Sequence, residues 1–296
     1  MKKKYFLKWT QSLLFLLIIL TGLSVSAQTP QPSFLVSFPE NPRNLTVCNS
    51  SSLLKVRLVA AISSTTGANV TIQLPPGVEY VQGTIVKTDG TAALTITENG
   101  GSLNAPQFLI GPNTFQAGNF IEFTINRRAT CASRTASIGG AKFDDKVTVT
   151  IPGQGTGSGT SSAYELFYPV LSLMQPATQT NAVLGRTYTR NFTIRNGGTG
   201  CANEVSFSIE YPSNGIQQTR LTLGGVSILP TSTVGTKSYY TVTAANLPGG
   251  TLCNGGELVF TEEYIVKACS PVTNYSVGWG CGREPASWCQ TVNGTA

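Results

Sequence analysis

Histidine is absent from the 296-residue chain, and charged residues make up only 11% of it. The missing histidine removes the commonest general base and the commonest metal ligand. It also excludes every serine or cysteine nucleophile that would depend on a histidine for activation. The low charge argues against helices, which draw on Glu and Lys, and after the N-terminal segment no dozen residues show the period of an amphipathic helix.

The N-terminal segment has the three parts of a secretory signal peptide. Residues 1–9 are basic, residues 13–20 read LLFLLIIL, and the small residues of VSA at 25–27 precede Gln28. The apolar run is too short for a membrane span, which needs about 20 apolar residues. We therefore expect residues 1–27 to be removed on export, leaving no transmembrane segment.

The remaining charge predicts no nucleic-acid partner. The formal net charge is +6, and four lysines of the signal segment account for most of it, leaving +2 for the exported part. Arg127 and Arg128 stand together, but no interleaved aromatic residues or wider basic stripe accompany them.

Alternating apolar and polar residues predict β-strands along the rest of the chain. The runs are bounded by Gly, Pro, Asn or Asp, which is the pattern of antiparallel sheets with one buried face. Pro75 ends one run because proline cannot donate a ladder hydrogen bond, and Gly77 supplies the positive φ of the turn. The clearest runs lie at 53–61, 70–74, 120–125, 146–151, 188–194, 205–211, 238–244 and 258–266.

A Gly, Ser and Thr run, PGQGTGSGTSSA at 152–163, divides the chain and predicts a flexible linker. The two sides repeat one another, since AGNFIEFTINRRATC at 117–131 matches GGELVFTEEYIVKAC at 255–269 in rhythm and terminal cysteine. Such a repeat predicts two similar all-β domains in tandem. We assign the domains to residues 28–151 and 164–282, and 283–296 to a tail or the start of a further segment.

The repeated pattern resembles a known family of bacterial surface domains. Its marks are IRNGGTG at 194–200, strands that end in Pro-Gly or Pro-Ser-Asn-Gly, and the spacing aGxxxxFxxxxxxxC that ends at Cys131. These resemble the immunoglobulin-like conserved-repeat (DUF11-type) domains of large bacterial surface and adhesin proteins. The segment YSVGWGCGREPASWCQ at 275–290 resembles one common in such proteins from the Bacteroidota. The resemblance implies seven-stranded β-sandwiches, an extracellular structural or adhesive setting, and no catalytic residues.

Seven cysteines in an exported chain predict disulfides and not a reduced metal site. The internal repeat pairs Cys48 with Cys131 in the first domain and Cys201 with Cys269 in the second. Each bond would join the early and late parts of one domain. No C-x₂-C pair is present, so the spacing does not favour zinc.

The last cysteines leave one thiol over. Cys281 and Cys289 bracket a short loop and predict a local bridge. Cys253 is then unpaired, which implies an intermolecular bridge, a partner further along a longer chain, or a free buried thiol. The chain ends in the polar residues CQTVNGTA with no visible closing strand. We therefore expect it to be the N-terminal piece of a longer protein.

The carboxylates predict no catalytic or metal site. Glu262 and Glu263 are adjacent on a predicted strand, so their side chains point to opposite faces and cannot flank one glycosidic bond. We interpret both as solvated strand charges. Asp144 and Asp145 precede a strand without the oxygen-rich spacing of a calcium loop, and we interpret them as a turn.

Aromatic residues are the remaining candidates for a binding surface. Trp279 and Trp288 flank the loop between Cys281 and Cys289, while Tyr239 and Tyr240 are adjacent on a predicted strand. Exposed aromatic rings could stack on sugars or fill a partner's pocket, although one of each pair is expected to lie in the core.

These observations predict a non-enzymatic, exported, structural or adhesin-like protein of the bacterial cell surface, with no cofactor. Its domains would act as spacers and present loops to other surface or extracellular proteins or glycans. The alternative is a discrete binding module. It would recognise a carbohydrate or a secretion or surface partner through a sandwich face or the loop at 279–289.

Overall fold

The computed structural model describes residues 33–48, 51–111, 114–136, 142–177, 179, 181–269, 271–283 and 285–296. The predicted signal peptide at 1–27 lies outside these residues. Within the described ranges, no helix has the length and apolar character needed to cross a membrane.

The first half of the described chain is a sandwich of two five-stranded sheets. One sheet has the order β1-β3-β9-β5, with β6 also paired to β9, and the other has the order β11-β10-β4-β8-β7. A short helix, α1 (Cys131–Ala136), follows β9. The strands are β1 Phe34–Ser37, β2 Leu45–Thr46, β3 Ser52–Ala60, β4 Ala68–Gln73, β5 Val78–Tyr80, β6 Val86–Gly90, β7 Thr95–Ser102, β8 Ala105–Gly111, β9 Phe120–Ala129, β10 Lys146–Ile151 and β11 Gly155–Thr160.

The second half is a sandwich of the same kind. Its sheets have the orders β13-β14-β20-β16-β17 and β18-β19-β15-β21-β22. Short 3-10 helices lie at Ala244–Asn246, Pro248–Gly250 and Pro285–Ser287. The strands are β12 Leu166–Phe167, β13 Leu171–Met174, β14 Thr187–Asn196, β15 Val205–Glu210, β16 Ile216–Leu223, β17 Val226–Ser227, β18 Ser232–Val234, β19 Lys237–Val242, β20 Glu257–Val266, β21 Asn274–Gly280 and β22 Trp288–Thr295.

The two sandwiches share one strand plan. If β1, β3 and β9 are matched to β13, β14 and β20, the second sheets also match, with β11-β10-β4-β8-β7 corresponding to β22-β21-β15-β19-β18. The prediction of two tandem immunoglobulin-like β-sandwiches is confirmed. Each sandwich has two five-stranded sheets, so the seven strands implied by the resemblance undercount it.

Period-two patterns produce these strands because alternate side chains enter the space between the sheets. In β3 the buried residues are Leu54, Val56, Leu58 and Ala60. In the second sandwich the rings of Phe192 and Phe260 stack with their centroids 4.8 Å apart. The turn at Pro75 forms as predicted, since the Val78 amide donates to the Pro75 carbonyl at 3.0 Å and Gly77 has φ +76°.

The predicted flexible linker at 152–163 is wrong, because half of it is strand β11. All six residues of β11 pair with β10, from Lys146 opposite Thr160 to Ile151 opposite Gly155. Its glycines let it pack closely on β1. A Cβ atom on Gly157 would lie 2.1 Å from the Phe34 carbonyl oxygen, and one on Gly159 would lie 2.7 Å from the Val36 side chain. The Gly-rich composition therefore reflects close backbone approach and not flexibility.

The segment at 283–296 is not a tail, because it contains β22, an edge strand of the second sandwich. This strand pairs with β21 from Asn274 opposite Thr295 to Gly280 opposite Trp288. The Ala296 amide and carbonyl both bond to Thr273, at 2.9 and 2.8 Å. The second sandwich therefore extends to Ala296 and includes the closing strand that the sequence interpretation missed.

Candidate functional site

A short parallel ladder joins the two sandwiches. β12 pairs with β2, with Leu166 opposite Leu45 and Phe167 opposite Thr46. Flanking hydrogen bonds run from the Leu45 amide to the Glu165 carbonyl at 3.1 Å and from the Val47 amide to the Phe167 carbonyl at 2.8 Å. The chain that enters the second sandwich is therefore held on the first by backbone bonds.

A buried ion pair anchors the same connecting segment. The Arg127 guanidinium contacts the Asp145 carboxylate, and both side chains are fully buried. The Tyr164 hydroxyl, on the connecting segment, donates to Asp145 Oδ1 at 3.1 Å, and the Arg127 guanidinium lies 4.2 Å from the centre of the Tyr164 ring. The segment therefore docks on a buried charge pair of the first sandwich.

Burial sets the protonation behaviour of this cluster. It raises the pKa of Asp145 to about 6, outweighing the opposite effects of the Arg127 charge and the Tyr164 hydrogen bond. Burial and the Asp145 carboxylate also raise the pKa of Tyr164. At neutral pH the tyrosine therefore stays a hydroxyl donor and the carboxylate stays ionised. Asp145 was interpreted from the sequence as part of a turn, and its full burial beside Arg127 corrects that interpretation.

Four cysteines from the two halves meet beside this ladder. Cys48 is bonded to Cys281, and Cys131 is bonded to Cys289. Their Cα atoms are 4.6 and 4.8 Å apart, respectively. Cys48 and Cys131 belong to the first sandwich, whereas Cys281 and Cys289 belong to the turn and strand at the end of the second. Both disulfides therefore cross from one sandwich to the other.

The four sulfur atoms form one cluster. Between the two disulfides, Cys48 Sγ lies 3.3 Å from Cys289 Sγ and 4.0 Å from Cys131 Sγ, and Cys131 Sγ lies 3.8 Å from Cys281 Sγ. All four atoms lie within 4.8 Å of one another. We call this group the four-sulfur cluster. As two disulfides it offers no thiolate to a metal, but full reduction would supply four thiolates, the ligand set of a structural zinc site.

The observed disulfides correct the predicted pairing. Cys48–Cys131 and Cys281–Cys289 were expected as bonds within one domain, but all four residues bond across the junction. The third disulfide joins Cys201 to Cys253, and Cys269 is an exposed free thiol. The prediction that Cys253 is unpaired and that Cys269 pairs with Cys201 is therefore wrong.

Polar contacts seat the turn of the second sandwich on α1. Arg134 Nη1 donates to the Cys289 carbonyl at 2.6 Å, and its guanidinium lies 5.8 Å from the Tyr168 ring centre. Cys131 Sγ lies 3.7 Å from the Ser287 carbonyl oxygen. These contacts hold the disulfide-bearing turn against the first sandwich.

The aromatic residues proposed as binding surfaces make internal contacts. Trp279 is 4% exposed and Tyr240 is 2% exposed, so neither presents its ring to a partner. Trp288 is half-buried, and its ring covers Gly278, where a Cβ atom would lie 2.0 Å from Trp288 Cε3. Its indole nitrogen donates to the Arg283 carbonyl at 3.0 Å. Tyr239 is also half-buried.

A second buried charge cluster lies inside the second sandwich. Glu262 is fully buried, and Arg190 Nε donates to its carboxylate at 2.8 Å. The hydroxyls of Tyr211 and Tyr275 also donate to Glu262, the latter at 2.9 Å. Burial, followed by the Glu262 charge, raises the pKa of both tyrosines. The interpretation of Glu262 as a solvated strand charge is therefore wrong, while Glu263 on the opposite face is partly exposed, with 40% of its side chain accessible.

Comparison with known proteins adds no family assignment. No protein-family model matches the chain, and no curated protein matches it. Among solved structures, the C-terminal domain of the Streptococcus pyogenes antigen I/II-family protein AspA has a TM-score of 0.43 at 6% identity, covering 90% of this chain and 98% of that one.

Two further structures are similar at lower scores. The 35 kDa C-terminal fragment of the Streptococcus agalactiae major pilin GBS80 has a TM-score of 0.33 at 9% identity, covering 90% of this chain and 91% of that one. A partial N-terminal region of an enterococcal surface protein has a TM-score of 0.29 at 11% identity, covering 90% and 94%. Similarities this low support no transfer of function to this chain.

Proposed function

We propose that this chain is a non-catalytic structural segment of an exported bacterial surface protein, and that its two sandwiches act as one stiff spacer. The observation that carries the proposal is the pair of disulfides that crosses the junction, Cys48–Cys281 and Cys131–Cys289. A single crossing bond leaves rotation about one axis, whereas two bonds with the β2–β12 ladder and the Tyr164 anchor oppose it. A spacer of this kind needs a fixed angle between its domains and no reaction centre.

The disulfides and the N-terminal sequence support the proposed export and surface location. Three disulfides form and persist in oxidising compartments outside the cytoplasm. The basic and apolar N-terminus and the small-residue site before Gln28 are those of a secreted chain. Accessibility of the chain to protease on intact producing cells would test the location directly.

Small-angle X-ray scattering tests the spacer. The oxidised chain should scatter as one rigid particle. A variant with serine at positions 48, 131, 281 and 289 should show a wider distance distribution and faster amide exchange at Leu45 and Val47. The matched control is Cys201→Ser with Cys253→Ser, which removes a disulfide inside one sandwich and should leave the scattering unchanged. Scattering by the oxidised chain as two independently moving particles would overturn the proposal.

A second candidate is a discrete module that binds a carbohydrate or a secretion or surface partner at the loop 279–289. A cavity of about 290 Å³ favours it, because Trp279, Arg283 and Glu204 line the cavity beside this loop. Arg283 Nε donates to Glu204 at 2.7 Å, so a polar ligand would meet a charged pair there. Saturable binding on a glycan panel that Arg283→Ala removes would support this function, and uniform weak signals would contradict it.

A further inference from the structure

The two crossing disulfides lie close enough to react with each other. Thiol–disulfide exchange requires a thiolate to reach a sulfur of another disulfide, and here that second disulfide is already in contact. We propose that the four-sulfur cluster is a thiol–disulfide exchange site whose co-reactant is a small thiolate, and that exchange there replaces the crossing bonds without separating the sandwiches. This inference rests on the proposed function, because it concerns the bonds that make the spacer stiff.

Cys281 is the point of entry. It is exposed, whereas Cys48, Cys131 and Cys289 are half-buried. Cys48 and Cys281 also line the 290 Å³ cavity, which is large enough to admit a small thiol. In the first step an external thiolate bonds to Cys281 Sγ. The Cys48–Cys281 bond breaks, and its electron pair leaves on Cys48 as a thiolate.

The released thiolate has a second disulfide within reach. Cys48 Sγ lies 3.3 Å from Cys289 Sγ, so it bonds to Cys289, and the Cys131–Cys289 bond breaks with its electron pair on Cys131. Cys131 Sγ lies 3.8 Å from Cys281 Sγ, so it bonds to Cys281 and expels the external thiolate. The products are Cys48–Cys289 and Cys131–Cys281. No net oxidation occurs, and the small thiol is regenerated.

Both sets of bonds join the same two bodies. Cys48 and Cys131 lie in the first sandwich and Cys281 and Cys289 in the second, so either set crosses the junction twice. Only the pairing Cys48–Cys131 with Cys281–Cys289 would release it. The Cys48 thiolate is closer to Cys289 than to Cys131, at 3.3 against 4.0 Å, which favours the crossing product. Attack by a thiolate on one crossing disulfide therefore yields the other pair of crossing disulfides, and the two sandwiches stay joined.

Peptide mapping of the whole secreted chain distinguishes the three pairings. Tryptic cleavage places the four cysteines on separate peptides, 44–55, 129–134, 268–283 and 284–296. Cys269 shares a peptide with Cys281, so the experiment uses Cys269→Ser as its background. The chain is incubated with reduced glutathione at about pH 8, near the thiol pKa, then acid-quenched, alkylated and digested without reduction.

The expected result is a loss of the 44–55/268–283 and 129–134/284–296 pairs and an equal gain of 44–55/284–296 and 129–134/268–283. The Cys201–Cys253 pair lies outside the four-sulfur cluster and should stay intact as an internal reference. Gain of 44–55/129–134 would overturn the inference. Absence of any new pair would overturn it too.

Variants that carry their own thiol test the same contacts without glutathione. Cys131→Ser leaves Cys289 as a thiol beside Cys48, so the chain should contain both Cys48–Cys281 and Cys48–Cys289. Cys201→Ser is the matched control, because it frees Cys253, which does not line the cavity beside Cys281, and it should leave both crossing bonds in place. A Cys131→Ser chain that contains only Cys48–Cys281 would contradict the inference.

The outcome separates this inference from the spacer proposal. If the untreated chain contains Cys48–Cys131 and Cys281–Cys289, the spacer proposal and the exchange site both fail. If the untreated chain contains the crossing bonds and glutathione produces no new pair, the exchange site alone fails.

Discussion

Each of the two sandwiches buries a cation, a carboxylate and at least one tyrosine hydroxyl, but different strands supply the charged groups. In the first, the cation is Arg127 on β9, and its carboxylate is Asp145, directly before β10. In the second, the carboxylate is Glu262 on β20, the strand that corresponds to β9, and the cation is Arg190 on β14. Thr273 stands directly before β21, the position of Asp145, and accepts a hydrogen bond from Arg190 at 2.8 Å. The central strand of the shared plan can therefore carry either a buried cation or a buried carboxylate, provided that a neighbouring segment supplies the opposite charge.

The tyrosines give the two buried charge clusters different structural roles. Tyr164 reaches the first cluster from the connecting segment, so that ion pair also holds the junction. Tyr211 and Tyr275 reach Glu262 from within the second sandwich, so the second cluster stabilises only its own domain. One cluster couples two domains and the other is self-contained.

The largest expected effect is at Glu262. Glu262→Gln leaves Arg190 buried without its counter-ion and should lower the free energy of unfolding of the second sandwich by about 3–5 kcal/mol. Trp279 and Trp288 both lie in this sandwich, so denaturant unfolding followed by tryptophan fluorescence measures it. The matched control is Glu263→Gln on the opposite, partly exposed face, which should change stability by less than about 0.5 kcal/mol. Equal effects of the two substitutions would contradict the assignment.

Asp145→Asn should act on both the first sandwich and the junction. We expect a loss of about 3 kcal/mol, because Arg127 loses its carboxylate in a fully buried site. Unlike Glu262→Gln, it should also speed hydrogen exchange of the Leu45 and Val47 amides. Asp144→Asn is the control, since Asp144 is exposed. Unchanged exchange at the junction in Asp145→Asn would show that Tyr164 does not depend on the ion pair.

The glycines of the two closing strands give a smaller contrast. A Cβ atom on Gly157 of β11 would meet the backbone of Phe34, which cannot move aside, so Gly157→Ala should cost about 1–3 kcal/mol. A Cβ atom on Gly294 of β22 would meet the side chains of Gln175 and Leu173, at 2.5 and 2.8 Å, which can rotate away. Gly294→Ala should therefore cost less. Thermal unfolding of the two variants measures the difference, and a larger loss for Gly294→Ala would refute the explanation.

Alkaline pH should destabilise the two sandwiches to different extents in the unsubstituted chain. Burial raises the pKa of Tyr80 and Tyr240 to about 12, and it raises that of Tyr164, Tyr211, Tyr264 and Tyr275. The unfolded value is about 10, so between about pH 10 and 12 the folded chain binds more protons than the unfolded chain. This stabilisation is complete below pH 10 and is lost as the pH rises.

Four of these tyrosines lie in the second sandwich and two in the first, so the second should lose stability more steeply above about pH 10. Tryptophan fluorescence reports the second sandwich, and hydrogen exchange of the β3 and β9 amides reports the first. Between pH 8 and 9 neither should change. Earlier loss of the first sandwich at high pH would contradict the comparison.

The sequence predicted the parts of this fold that depend on local patterns. Period-two runs placed β3, β4, β9 and β10 of the first half and β14, β15, β19 and β20 of the second, and Pro75 with Gly77 placed a turn. The Gly run at 152–163 misled because composition does not distinguish a flexible segment from a strand that needs close approach. That distinction depends on Phe34 of β1, which is distant in sequence.

The candidate site was not predictable in the same way. An internal repeat favours bonds between equivalent positions, but Cys48 and Cys131 face a turn of the other sandwich, and only the junction brings them there. Glu262 and Arg127 were judged from their neighbours on the strand, whereas their partners come from other strands. Pairings that depend on the packing of two domains leave no local signal in the sequence.

The Cys48–Cys281 bond spans 233 residues of sequence. A stretching force applied at Ser33 and Ala296 would pass from the residues before Cys48 through this covalent bond into the residues after Cys281. Nearly all of both sandwiches would then be off the load path, and tension could lengthen the chain only by peeling its outermost strands. Such a segment would behave under pull as a link of almost constant length.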